Sequence, residues 1–206
     1  MSATNRGTAR READFYATPL ESVYAFLDCY DGIGPYDSIL EPSAGNGNII
    51  KALRDRGYTN HIDAIELREE ERDHLIGLAD RVGILDYLTD TGLGKYDVII
   101  GNPPYSLAQE FIDKSLSLLR PGGRLIFLLR TNFLESVRRF EWWQDKLPSG
   151  LYTLHKRPSF TGNGTDATSY SRFVWTKTDR QTDRQTDRQT DRQTDRQTDR
   201  QTIRII

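Results

Sequence analysis

The chain predicts an α/β domain built on a doubly wound, mostly parallel sheet of seven strands, and three observations carry that expectation. Short apolar runs alternate with amphipathic segments across residues 19–175, the β-α-β rhythm of a parallel sheet covered on both faces. A turn with two glycines, Glu41-Pro42-Ser43-Ala44-Gly45-Asn46-Gly47-Asn48, joins the first apolar run to a helix, a place where such sheets receive a nucleotide. A polar turn, Asn102-Pro103-Pro104-Tyr105, closes the run Tyr96-Asp97-Val98-Ile99-Ile100-Gly101. The carboxyl ends of strands are where open α/β sheets place their ligands.

Taken in order, Pro19 to Tyr30 predicts a helix, with Leu20, Val23, Tyr24 and Leu27 on one stripe. Ser38 to Glu41 is a short strand and Asn46 to Arg56 a helix. His61 to Leu67 forms the second strand, followed by a helix over Glu69 to Ala79. Arg81 to Leu85 and Tyr96 to Gly101 supply the third and fourth strands. Leu107 to Leu119 is a helix stopped by Pro121-Gly122-Gly123. Arg124 to Arg130 is the fifth strand, Phe133 to Leu147 a helix, and Leu151 to His155 and Tyr170 to Trp175 close the sheet. Residues 1–11 read as a flexible lead and 12–177 as one domain of typical size.

From Thr178 the sequence is six copies of Thr-Asp-Arg-Gln, then Thr202-Ile203-Arg204-Ile205-Ile206. The repeat has no aliphatic or aromatic residue, so residues 178–206 are expected to be disordered or a marginal, salt-bridged helix. Thr-Asp-Arg-Gln can be encoded by one iterated four-base unit, whose three frames all give the same cyclic peptide. Slippage by one unit would change whatever follows, which makes phase variation the expectation if the codons are uniform.

The 206 residues are 36% hydrophobic and 28% charged, with a net charge of −2 and a single cysteine, Cys29. No apolar run is long enough for a bilayer span, the first residues show no secretory signal, and one cysteine excludes an internal disulfide. A reducing cytoplasm is the expected compartment. Charge is unevenly spread. Residues 61–90 hold nine acids against three arginines, whereas residues 120–160 hold eight Lys or Arg against three acids. The basic stretch suits phosphate contacts, and Arg130, Arg138, Arg139, Lys156 and Arg157 are the candidates.

The turn at 102–105 suits a planar amino group. The Asn102 side-chain oxygen and the Pro103 carbonyl can accept its two protons, while Pro103 and Pro104 stiffen the backbone that aims them. Tyr105 offers a flat face on which a heteroaromatic ring stacks. Gly45 and Gly47 let backbone approach a ligand closely, and the acid Glu41 before them suits a cationic guest better than a pyrophosphate. Glu66, about twenty residues on, falls where a carboxylate takes ribose hydroxyls. Asp86 follows the third strand and can meet an exocyclic amine. Cys29 lies in a helix far from these turns and reads as a packing residue. Of Trp142 and Trp143, one is expected in the core.

On these residues the chain resembles the amino-group DNA methyltransferases, particularly the small phage- and prophage-type N6-adenine enzymes. Asn102-Pro103-Pro104-Tyr105 matches their catalytic motif, and Glu41 to Gly47 looks like their S-adenosylmethionine loop, with Pro42, Ser43 and Ala44 inside it. Glu66 and Asp86 stand where the family contacts ribose and adenine. Asp14-Phe15-Tyr16-Ala17-Thr18-Pro19 is similar to the segment that packs on the methionine end, implicating Tyr16 and Thr18. Arg157-Pro158-Ser159-Phe160 resembles a segment near the target base, and Arg172 stands where relatives tend to carry an aromatic residue. The resemblance covers residues 12–175. It implies a Rossmann-like class I methyltransferase fold, S-adenosylmethionine as cofactor, DNA as partner, no metal and no membrane, and direct transfer to a flipped adenine. An RNA base, a cytosine amino group or a protein glutamine would present similar chemistry, and an inactive accessory subunit is the reading from another class. No insertion is long enough to read several base pairs, so the expectation is low specificity, a separate recognition partner, or a recognition segment downstream in another frame, in a restriction-modification or phage setting.

Overall fold

A computed structural model of the chain describes residues 17–160, 167–178 and 201–206. The helices α1 (Leu20–Leu27), α2 (Asn48–Asp55), α3 (Arg72–Ile76), α4 (Ala108–Leu118) and α5 (Phe140–Asp145) flank one sheet. Its strands are β1 (Ile39–Glu41), β2 (Ile62–Glu66), β3 (Arg81–Ile84), β4 (Tyr96–Gly101), β5 (Leu119–Arg130), β6 (Gly150–Thr153), β7 (Tyr170–Thr176) and β8 (Thr202–Ile205). Their order is β3-β2-β1-β4-β5-β7-β6-β8. Strands β1 to β5 pair in parallel, β7 runs antiparallel to β5 and β6, and β8 is parallel to β6.

Alternation along the strands divides the core into two layers. Ile39, Ile62, Val98, Ile100, Ile126 and Val174 face Val23, Phe26, Ile49, Leu53 and Leu75 of α1, α2 and α3. Leu40, Ile65, Ile99, Leu125, Phe127 and Phe173 face Phe111 and Ile112 of α4 and Trp143 of α5. Trp143 is therefore the core tryptophan of its pair, and Trp142 is only partly buried against the same layer. Cys29 packs on the first layer, its thiol donating to the Phe26 carbonyl at 3.2 Å. Burial pushes that thiol's pKa up, which suits packing rather than reactivity.

The sheet departs from expectation in four places. Among the described residues it has eight strands rather than seven, because residues 202–205, expected within a disordered or helical tail, add a strand along β6. Backbone hydrogen bonds from Thr202 to Ser149 and from Ile206 to Thr153 hold it there. The repeat between residues 179 and 200 lies outside the described residues. Pro121-Gly122-Gly123 does not separate helix from strand. α4 ends at Leu118 and the three residues bulge within β5, Gly122 at φ 76° and its N–H on the Lys177 carbonyl at 2.8 Å. A Cβ on Gly123 would come within 2.8 Å of the Arg120 carbonyl, so close backbone approach fixes glycine there.

The other two departures are helices. The one expected over 69–79 shrinks to a 3-10 turn and α3, because three consecutive glutamates open it and Leu75 alone is buried. The one expected over 133–147 breaks at Ser136, which is extended at φ −166°. Two 3-10 turns, 131–134 and 137–139, precede α5.

What matters for the site is the reversal of strand order at β1. The chain winds outward from β1 through β2 to β3, then restarts at β4 on the other side, so the carboxyl ends of β1 and β4 open a crevice at a topological switch point. Among the described residues no helix is long and apolar enough to cross a membrane.

Candidate active site

A cavity of about 340 Å³ fills that crevice, within the range of small-ligand sites. The turns after β1, β2, β3 and β4 line it, together with Ala17 and Thr18. From the turn after β1 come Glu41, Pro42, Ser43, Ala44, Gly45, Asn46 and Asn48; from the others come Glu66, Asp86, Asn102 and Pro104. Of the fourteen residues expected to meet the cofactor or the target's amino group, ten line this one cavity; Gly47, Pro103 and Tyr105 do not, and Tyr16 lies outside the described residues.

The loop after β1 is braced from β2. Gly45, at φ 56°, donates its N–H to Glu66 Oε2 at 2.7 Å. Arg68 donates through its backbone N–H and its Nε to Glu66 Oε1 at 3.0 and 2.9 Å. Glu66 is 6% exposed and keeps acceptor capacity on both oxygens. Two glycines behave differently. Gly47 does not line the cavity: it begins α2 at φ 72°, and a Cβ there would meet Leu78 Cδ1 at 2.6 Å. Its role is the entry into the helix and the approach of α3, not contact with a ligand.

The segment before α1 is tied over the opening. Asn48 Nδ2 donates to the Thr18 carbonyl at 2.8 Å, and Asn102 Nδ2 donates to Thr18 Oγ1 at 3.1 Å. Glu41 and Ser43 each bury a side-chain oxygen, Oε2 and Oγ respectively, without a hydrogen-bond partner among the described residues. Unsatisfied acceptors on the wall of a cavity fit an amino- and hydroxyl-bearing guest. Leu67, Leu85, Leu88, Leu107 and Phe111 form an apolar wall that the sequence reading did not pick out. Asp86 stands at its edge, its Oδ1 accepting the Leu88 N–H at 2.9 Å. Arg68 and Asn48 were also missed. Their signal was position alone, each just past a loop already under suspicion.

The turn after β4 splits its tasks. Pro103 is buried and Asn102 and Pro104 reach the cavity. Tyr105 opens a short 3-10 turn and lies outside the cavity lining. Its ring is 5.7 Å from that of Tyr170, which lies 5.1 Å edge-on from Phe160. The Arg130 guanidinium sits 5.3 Å from the centroid of Tyr105, and its Nε donates to the Tyr170 hydroxyl at 3.4 Å. Arg130, Tyr105 and Phe160 therefore meet beside the cavity mouth, with Tyr170 as an unanticipated member.

The other basic candidates differ. Arg138, Lys156 and Arg157 are exposed. Arg139 turns inward, donating to the Phe133 carbonyl at 2.9 Å and lying 4.2 Å from the Phe133 ring. Burial lowers its pKa. It joins the two turns before α5 and does not face a ligand.

No protein-family model matches the chain. It is 31% identical to the type II methyltransferase M.HincII of Haemophilus influenzae over 136 residues, covering 50% of this chain and 26% of that relative. The matched part is thus about a quarter of the relative's length. Its fold is similar to that of a Listeria monocytogenes protein described as a class I S-adenosylmethionine-dependent methyltransferase, with TM-score 0.61 and 16% identity, covering 92% of this chain and 65% of the other. It is also similar to the M protein of the type I restriction enzyme EcoKI, with TM-score 0.59 and 18% identity, covering 79% and 44%. The fold is that of the class I methyltransferases, and the crevice described above is the place where such a sheet binds its nucleotide.

Proposed function

We propose that the chain transfers a methyl group from S-adenosylmethionine to the exocyclic amino group of adenine in DNA. The observation that carries this reading is the meeting of two turns at one cavity: the Glu41–Asn48 loop on one side and Asn102-Pro103-Pro104 on the other. The 31% identity to a type II methyltransferase supports DNA as the substrate.

When bound, the cofactor supplies an electrophilic methyl group. The residues do the rest by holding groups in place. Glu41 and Ser43 offer their unsatisfied oxygens to the amino-acid end, Glu66 its carboxylate to the ribose, and Asp86 its carboxylate to the adenine edge above the leucine wall. Asn102 and the Pro103 carbonyl accept hydrogen bonds from the target's two amino protons, which frees the nitrogen lone pair for attack; the carbon–sulfur bond breaks as the carbon–nitrogen bond forms, and one amino proton leaves to solvent. Tyr105 stacks on the flipped base, and Arg130 steadies Tyr105 from its other side. Arg138, Lys156 and Arg157 take phosphates. Recognition of a particular sequence falls outside the described residues, since none of the connections among them is a reading domain.

Incubation with methyl-labelled S-adenosylmethionine and unmethylated DNA, RNA and protein tests this. Label in DNA is expected. Label confined to RNA or protein would contradict the substrate assignment, and cofactor binding with no transfer to any of them would favour an accessory role.

A further inference from the structure

Among the described residues, Arg172 is the largest fully buried side chain. It is 0% exposed, and its Nε, Nη1 and Nη2 have no hydrogen-bond partner among those residues. An unpaired buried guanidinium is a costly arrangement, and where it lies says what it serves. Arg172 sits two residues from Val174 on β7, so it points into the layer of α1, its Cζ 5.6 Å from the centroid of Phe26. It pairs across the sheet with Leu128, the neighbour of Phe127, which pairs with Gly101. Arg172 is therefore level with Asn102. Glu41 enters the same layer two residues after Ile39, 2% exposed and with Oε2 unsatisfied.

We propose that Arg172 is a positioning residue for the cofactor's amino-acid end: sealed in the layer shared with Glu41, its positive charge favours the carboxylate form that receives the α-ammonium group. This rests on the methyl-transfer reading above. Both side chains are almost wholly buried, so the two charges act on each other through a medium of low dielectric without direct contact. Burial pushes the Glu41 carboxyl well above the usual carboxylate range. Arg172 opposes that shift, Glu66 from β2 adds to it, and the Ile50 N–H in the first turn of α2 opposes it. Burial pulls Arg172 down to about 10, against the attraction of Glu41 and Tyr105. Removing Arg172 takes away that opposition and favours the protonated Glu41, which attracts an ammonium less.

Calorimetry with three nucleosides separates the possibilities. S-adenosylhomocysteine carries both amine and carboxylate, S-adenosyl-3-thiopropylamine only the amine, and 5′-methylthioadenosine neither. Arg172→Met is expected to weaken the first two about tenfold, equivalent to about 1.4 kcal/mol, and the third less than about twofold. Arg172→Lys is expected to restore the first two to within about threefold. In a Glu41→Gln background, which also removes the buried charge pair, Arg172→Met is expected to add no further loss. Equal loss of all three nucleosides, loss of none, or loss of S-adenosylhomocysteine alone would overturn the proposal. The last would mean that Arg172 touches the carboxylate itself. Failure of the unaltered chain to bind S-adenosylhomocysteine would instead overturn the function on which the proposal rests.

Discussion

At the residue scale, the carboxylates do the most specific work. Glu66 serves two needs at once, ordering the Gly45 loop through a 2.7 Å hydrogen bond and facing the cavity. Its position was legible from the twenty-residue spacing after the loop, but its brace was not, because a backbone N–H leaves no trace in a sequence. Glu66→Gln keeps the shape and turns one acceptor into a donor, so Gly45 loses its partner or the amide flips away from the cavity. Weaker binding of 5′-methylthioadenosine, about tenfold, is expected by calorimetry; unchanged affinity would show that the ribose does not need this carboxylate.

Glu41 gives a second test at this scale. Its folded pKa is raised by burial, so the folded state holds its proton more tightly than the unfolded state does. Stability contributed by that proton is therefore lost as pH climbs above the ordinary carboxylate range. Glu41→Gln is expected to gain stability relative to the unaltered chain between pH 5 and 8. Urea denaturation at both ends of the range reads this, and a difference that stays flat with pH would contradict it. Tyr170, by contrast, was not legible as a site residue, and Arg172 stood out only as a departure from the aromatic residue that relatives tend to carry. Each looks like an ordinary strand position, and only the pairing of β5 with β7 brings them beside Tyr105 and Glu41.

At the scale of elements, the strands were easier to read than the helices. Apolar runs such as Val98 to Ile100 are buried on both sides and have one interpretation. The segment 133–147 had the right apolar spacing for a continuous helix, yet Phe133, Trp142 and Trp143 pack together edge-to-face and the chain bends at Ser136 to allow it. The bulge at Pro121-Gly122-Gly123 was read as a stop signal because its partners, Asp97 and Lys177, are distant in sequence. Gly47 was read as a ligand glycine from the same kind of local argument, and the start of α2 supplies the real reason. Gly47→Ala must hold a Cβ at φ 72° against Leu78. A loss of about 1–2 kcal/mol in unfolding free energy is expected, with nucleoside affinity nearly unchanged. A large loss of affinity at unchanged stability would return Gly47 to the cavity.

Across the whole molecule, the fold class, the winding and the switch point followed from the β-α-β rhythm, while the edge of the sheet did not. β8 is encoded after the Thr-Asp-Arg-Gln repeat, and its four residues seat along β6, with Ile206 reaching the cluster of Leu128, Leu154 and Tyr170. No local pattern in Thr202 to Ile206 announces an edge strand. Removing residues 178–206 is expected to cost about 1–2 kcal/mol and to leave S-adenosylhomocysteine binding within about twofold. Loss of binding would place the tail in the site. If the repeat is one four-base unit iterated, slippage exchanges the residues that form β8; scattered synonymous Thr and Arg codons would rule that out.

The central claim concerns where the methyl group goes, and one measurement reads it directly. Unmethylated duplex DNA is incubated with S-adenosylmethionine and the full chain, with any recognition partner supplied, then digested to nucleosides and analysed by mass spectrometry. N6-methyldeoxyadenosine is expected, reduced at least about a hundredfold by Asn102→Ala while S-adenosylhomocysteine binding persists. Methyl groups on cytosine, or N6-methyldeoxyadenosine undiminished by Asn102→Ala, would contradict it.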